Sequence, residues 1–204
     1  MFRKIASDAL GLSDIGQIIE PKDYDKTESD DYIMHEEGEK IHFLIKSQSD
    51  EYCFTNLALL HLDGSGAVSK KLMLYRLSYR SNPIKDVHLE TAGWGDADVE
   101  IKLKLGQKNL SVDVKRNQLE KLKDLYKSLV RIAEIQEENR ELYEYTQKSL
   151  TTASNVIQHL QKAEINPAEQ FTEINKSAFL WLKTAKEKYM RKDFSSVFEM
   201  FIEN

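Results

Sequence analysis

Cysteine is nearly missing from this sequence: Cys53 stands alone in 204 residues, so no intrachain disulfide can form. That sets the chain apart from small secreted domains held together by cross-links. Long apolar runs are lacking as well. Stretches such as Leu57-Ala58-Leu59-Leu60 are only a few residues long, whereas a bilayer crossing needs about 20, so no transmembrane segment is expected. The opening Met-Phe-Arg-Lys-Ile-Ala-Ser-Asp has neither the apolar core nor the cleavage site of an export signal. A cytoplasmic location is the expectation.

The eight glycines never take the spacing of a phosphate-binding loop, and no nucleophile elbow or His-Glu-x-x-His motif occurs. Gly64-Ser65-Gly66 lies between two strand patterns and reads as a hairpin turn. The histidines at 35, 42, 61, 88 and 159 are dispersed, while metal sites need ligands grouped closely. Cys53 alternates with Tyr52 and Phe54 and has no histidine, lysine or arginine beside it to activate the thiol; it reads as a strand packing residue. The pairs Asp30-Asp31 and Glu36-Glu37 sit on a hydrophilic stretch and read as solvated charge. No catalytic, cofactor-binding or metal-binding residue is assigned, and no enzymatic activity is expected.

Positive charge is also scarce where it would matter. The net charge is −5. Residues 1–115 carry 15 basic against 20 acidic residues, residues 116–204 carry 14 of each, and residues 20–39 hold nine acids and two lysines. Nucleic acids and anionic lipids are recognised through clustered positive charge, so neither is an expected partner. Lys70-Lys71 and Lys102/Lys104 are too few among so many acids to make an anion site, and Tyr75, Tyr79 and Trp94 read as packing rather than base-stacking residues.

What the chain does have is two kinds of hydrophobic period. A short apolar helical face at residues 1–10 (Phe2, Ile5, Ala6, Ala9, Leu10) ends at Gly11, and residues 20–40 read as an acidic loop with a short strand at Tyr32–His35. From 40 to 114 the period is two. Seven strands are predicted, at 40–47, 51–55, 58–62, 70–79, 85–92, 98–105 and 109–114, and strands this close in sequence pair antiparallel. After Val114 the period becomes helical. Leu119, Leu122, Leu125, Leu129 and Ile132 form a stripe, and the pattern continues to Leu160 with no glycine or proline from 107 to 166.

Some 40 residues of helix would reach about 60 Å, more than one small domain covers. A boundary is therefore placed near 133–140, at Gln136-Glu137-Glu138-Asn139-Arg140. Asn166, Pro167 and Glu169 start a second helix, with Phe171, Ile174, Ala178, Trp181, Leu182, Ala185 and Tyr189 on one face. A third, capped by Asp193, spans Phe194–Ile202. The class is α+β: an antiparallel β-domain closed by a helix, then a C-terminal helical hairpin.

The blocks Leu10-Gly11-Leu12-Ser13-Asp14-Ile15-Gly16, Asp50–Asn56 running into Leu59–Gly64, Leu89–Gly93 and Asp98–Lys102 carry a resemblance. By them the chain is identified as a member of the bacterial pleckstrin-homology (PH) domain family, in the YvbH-like group that appends a helical oligomerisation region. The resemblance implies a PH-like seven-stranded barrel or sandwich capped by a helix, over 1–133, a helical hairpin as an oligomerisation region, over 134–204, and ring-like or higher self-assembly through the domain and its helical extension. It brings no catalytic residues. Phosphoinositide-binding relatives use a basic loop between their first two strands; here Ser47-Gln48-Ser49-Asp50-Glu51 is acidic apart from the flanking Lys46, so specific inositide binding is not expected.

The function expected is that of a non-enzymatic assembly or scaffold module forming a homo-oligomer, with a further protein partner open. Phe171, Trp181, Phe194, Phe198 and Phe201 are more aromatics than a two-helix hairpin can hide, so they need another surface, either another copy or the β-domain itself. Two alternatives are a membrane-peripheral module anchored by residues 1–10 and a peptide-binding adaptor. The segment from Ala185 to Phe198 resembles one tetratricopeptide unit, but a single unit forms no solenoid.

Overall fold

The computed structural model describes residues 15–64, 72–91, 98–159 and 167–202. The predicted helix at 1–10, Lys70-Lys71, Trp94 and the cap Asn166 lie outside the described residues. Among the described residues, eight strands form two antiparallel sheets. The first runs β1 (Gln17–Ile18), β2 (Ile41–Lys46), β3 (Asp50–Thr55), β4 (Ala58–Asp63) and β5 (Met73–Ser78) in that order; the second runs β6 (Ile84–Glu90), β7 (Asp98–Leu105) and β8 (Lys108–Lys115). Three helices follow, α1 (Leu119–His159), α2 (Pro167–Tyr189) and α3 (Ser195–Ile202).

All seven predicted strands are present. The period-two reading holds most plainly in β7, where Val99, Ile101, Leu103 and Leu105 are buried and Glu100, Lys102 and Lys104 alternate on the half-exposed face. β1 has only two residues, too few to show a period, and escapes sequence reading. It matters because it joins the sheets rather than closing them into a barrel. Gly16 donates its N–H to Asp113 O at 2.8 Å and accepts from Lys115 N at 3.0 Å, while β1 pairs with β2 through Gln17↔Lys46 and Ile18↔Ile45. A Cβ at Gly16 would lie 2.6 Å from Ile45 Cγ2 and 2.8 Å from the Asp113 carbonyl oxygen, so only glycine fits between the sheets.

The strand expected at Tyr32–His35 is not there. Residues Ser29–Tyr32 and His35–Glu37 are 3-10 turns. The reason is a buried acceptor: the Glu51 carboxylate takes the backbone N–H groups of Glu28 and Ser29 at 3.2 and 2.8 Å, which curls the chain around it. Ile33 is the one residue between the turns that goes into the core.

α1 begins where Gln118 pairs with β1, its side-chain amide accepting from Ile18 N at 2.8 Å and donating to Ile18 O at 3.1 Å. Leu122, Leu125, Leu129 and Ile132 are then fully buried along one face. The chain separates into two compact units, one comprising Met1–Ala133 and Lys192–Asn204, the other Glu134–Arg191. The closing helix α3 therefore packs with the β-domain. Asn56, in the β3–β4 turn, donates through Nδ2 to Asp193 Oδ2 at 2.9 Å and accepts from Phe194 N at 2.9 Å. Asp193 Oδ1 caps α3 by accepting from Ser195 N at 2.7 Å. Phe198 stacks on His42 with ring centroids 5.1 Å apart, and Tyr79 meets Phe194 edge-on at 5.9 Å.

The aromatics thus divide. Phe194 and Phe198 are covered by the β-domain, whereas Phe171 and Trp181 are not covered by their own unit. Phe198→Ala should therefore destabilise the β-domain itself, by about 3–5 kcal/mol, read from the urea midpoint of the β-sheet circular-dichroism signal. A change confined to oligomeric state, with that midpoint intact, would contradict the packing.

Candidate self-association surface

Three polar clusters in the β-domain have the residue types of chemical sites, and each is bound up in holding strands together. Glu39 is buried and accepts from Thr55 Oγ1 at 2.6 Å, Met34 N at 2.9 Å and Arg76 Nη2 at 2.9 Å. Glu51 is buried against Lys46 and also accepts from Ser29 Oγ. Burial alone would raise the Glu51 pKa, but the Lys46 charge and the hydrogen bonds from Lys46 and Ser29 outweigh it and hold the carboxyl below its ordinary value.

The third cluster joins the two sheets. His61 Nε2 is 3.0 Å from Asp50 Oδ1, and its Nδ1 is 2.9 Å from Lys108 Nζ. An ammonium has only donors, so Nδ1 accepts and the proton sits on Nε2, donated to Asp50. That bond keeps the Asp50 carboxyl below its ordinary pKa, while burial lowers that of Lys108. Tyr52 and Tyr75 stack on the two sides of His61 at 4.3 and 5.8 Å, and burial with nearby aspartates raises the Tyr52 pKa to about 12.

In the sequence His61 is one of five dispersed histidines. A two-residue turn at Asn56-Leu57 already implies that Tyr52 faces His61 across the hairpin, as the register shows; Lys108, arriving from the other sheet, had no such signal.

The remaining candidates fall as follows. Cys53 is fully buried in β3, and burial drives its pKa well above the ordinary value. Asp31, Glu36 and Glu37 are exposed, and Asp30 lies 3.1 Å from His35 Nε2. Lys102 is paired with Glu90 and Glu100 at 3.0 and 2.9 Å. Tyr79 is buried packing. A small cavity of about 110 Å³ beside β1 is lined by Lys26 and Lys46 among others, but both are paired, with Asp23 and Glu51.

The unit Glu134–Arg191 has the opposite character. Among its described side chains only Ala185 is buried. Phe171 is 70% exposed, Phe179 66%, Trp181 55% and Leu180 53%, and on α1 Tyr145 and Leu142 are exposed as well. Between α1 and α2 runs a groove of about 500 Å³. Its walls are Ser149, Leu150, Ala153 and Ser154 on one helix and Glu173, Ile174, Ser177, Ala178 and Trp181 on the other. These positions repeat at helical spacing, so the groove follows the two helices lengthwise. No helix among the described residues is long and apolar enough to cross a membrane.

Two antiparallel sheets of five and three strands followed directly by an amphipathic helix define a PH-like protein. Comparison makes this specific. Residues 9–133 match the bacterial PH domain family, and residues 144–204 match the YvbH-like oligomerisation region. The chain belongs to the bacterial PH domain family. It is 54% identical over 204 residues to the Bacillus subtilis (strain 168) "Uncharacterized protein YvbH", with both chains covered in full. It is also similar to the crystal structure of a PH-domain-containing bacterial protein from Exiguobacterium sibiricum 255-15, with 47% identity and a TM-score of 0.86, covering 92% of this chain and 99% of that one. The matched extension includes α3, which packs with the β-domain, so the family boundary and the packing boundary differ.

Two outcomes are expected of these sites. Replacing Glu51 by Gln leaves the Lys46 ammonium buried without its counter-charge, costing about 3 kcal/mol near neutral pH. The folded Glu51 pKa lies below the unfolded one, so the stability it contributes is complete above the ordinary carboxylate range, near pH ~4.3. It is lost as pH falls through the folded value. Urea unfolding across the acid range should show a shallower pH slope for Glu51→Gln than for the parent. A thiol reagent should label Cys53 slowly in the native protein and rapidly in denaturant; fast native labelling would contradict its packing role.

Proposed function

We propose that this protein is a non-enzymatic assembly module: a PH-like domain, residues 1–133 completed by α3, that self-associates through its helical extension. The observation that carries this reading is a helical unit with one buried side chain among its described residues and several large exposed apolar ones. Apolar surface of that kind on a soluble protein marks an interaction site. The name of the matched family region points the same way. The partner is a second copy of the chain. A specific phosphoinositide partner is not part of the reading, because Lys46 at the β2–β3 turn and Lys26 beside the small cavity are already paired with Glu51 and Asp23. A scaffold rather than an enzyme is favoured because the titratable clusters at Glu39, Glu51 and His61 are each used to join strands or turns.

Trp181 is the anchor on which this reading can be tested. A buried interface tryptophan contributes about 2 kcal/mol or more, a loss of about thirty-fold in association constant. Light scattering over a dilution series should find the full-length chain oligomeric. Trp181→Ala should dissociate at higher concentration than the parent with an unchanged β-domain unfolding midpoint. A parent chain that is monomeric at all concentrations would refute the assembly role.

A further inference from the structure

The charges of the helical unit specify how two copies meet. The beginning of its α1 segment, residues 134–144, holds five glutamates (134, 137, 138, 141 and 144) against Arg140 alone. The end of α2 with the two residues after it, residues 183–191, holds Lys183, Lys186, Lys188 and Arg191 against Glu187 alone. The two helices run antiparallel along the groove, so both charged stretches lie at the same, open end of the hairpin. Toward the connection the described charges balance, with Lys148 and Lys176 against Glu169 and Glu173. One end of the hairpin is thus strongly polarised between its helices and the other is neutral.

From this we infer that two hairpins, one from each copy, pair side by side with their open ends together, about a two-fold axis that runs along the helices. The inference rests on the assembly reading above and adds its geometry. In this arrangement the α2 of each copy lies in the other's groove. Each acidic α1 stretch is then flanked by two basic α2 stretches, its own and its partner's, and the four helices alternate up and down as in an antiparallel bundle.

The same surface serves both copies, as a two-fold interface requires. The groove walls at Ser149, Ala153, Ser177 and Ala178 are small, leaving space for the partner's Trp181 and Ile174. Two alternatives are disfavoured by charge. Placing α1 beside the partner's α1 sets five glutamates against five. Inverting one hairpin sets each polarised end against a neutral one and forfeits the complementarity that fixes register.

Glu169 and Glu187 are both exposed, eighteen positions apart, on the same side of α2. They lie about 27 Å apart along the helix. Glu169→Cys and Glu187→Cys each supply one labelling site, since Cys53 is buried. Electron–electron distances between spin labels, measured on the full-length oligomer, should be short for both same-site pairs and longer for a mixture of the two variants. The reverse order, with the mixed pair shorter, overturns the arrangement while leaving self-association intact. A monomer overturns both.

Charge exchange gives an independent readout. Glu138→Lys/Glu141→Lys in one chain and Lys186→Glu/Lys188→Glu in another should each weaken self-association about ten-fold or more. An equimolar mixture should recover it as a heterodimer. Weakened variants that fail to recover on mixing contradict the pairing of α1 with the partner's α2.

Discussion

Two amphipathic helices laid side by side can each cover only one flank of the other. A helix that faces a core over a third or more of its circumference needs neighbours on more than one side. The segment 134–191 contains two helices of that kind, and Ala185 is the only buried side chain among its described residues. The β-domain, by contrast, has fully buried residues from both sheets, from α1 and from α3. The helical extension is therefore the part of the chain whose large apolar side chains, Phe171, Phe179, Leu180 and Trp181 among them, stay exposed.

The β-domain shows how buried polar groups can define a fold without performing chemistry. Glu51 curls the acidic segment 28–32 around itself, Glu39 holds the turn before β2 to the β3–β4 hairpin and to Arg76, and His61 connects Asp50 of one sheet to Lys108 of the other. Each group has several hydrogen-bond partners, as a buried ionisable side chain requires. Asn56 acts similarly at longer range, fixing the capped start of α3 from a turn 137 positions earlier.

Much of this was legible in the sequence where a period repeats. Strands with clean alternation, such as β7, and the stripe from Leu119 to Ile132 are local patterns and were found with near-correct limits. The places that were not legible depend on single long-range partners. β1 is two residues held by Gly16 and by Gln118, and the turns at 28–37 exist because of Glu51, more than twenty positions downstream. Phe194 and Phe198 looked like hairpin residues because they follow α2 directly; only the contacts with His42, Asn56 and Tyr79 place them on the β-domain. The helical face that carries Phe171 and Trp181 is a local pattern and was readable, and both residues are exposed in the structure.

Whether residues 134–191 gain their core from a second copy is read by amide hydrogen exchange measured against protein concentration. Protection within α2 and the adjoining part of α1 should fall as the full-length chain is diluted to the point where light scattering reports monomers, while β2–β4 and α3 keep theirs. Undiminished protection of the helical segment in the monomer would show that a second copy does not supply its core.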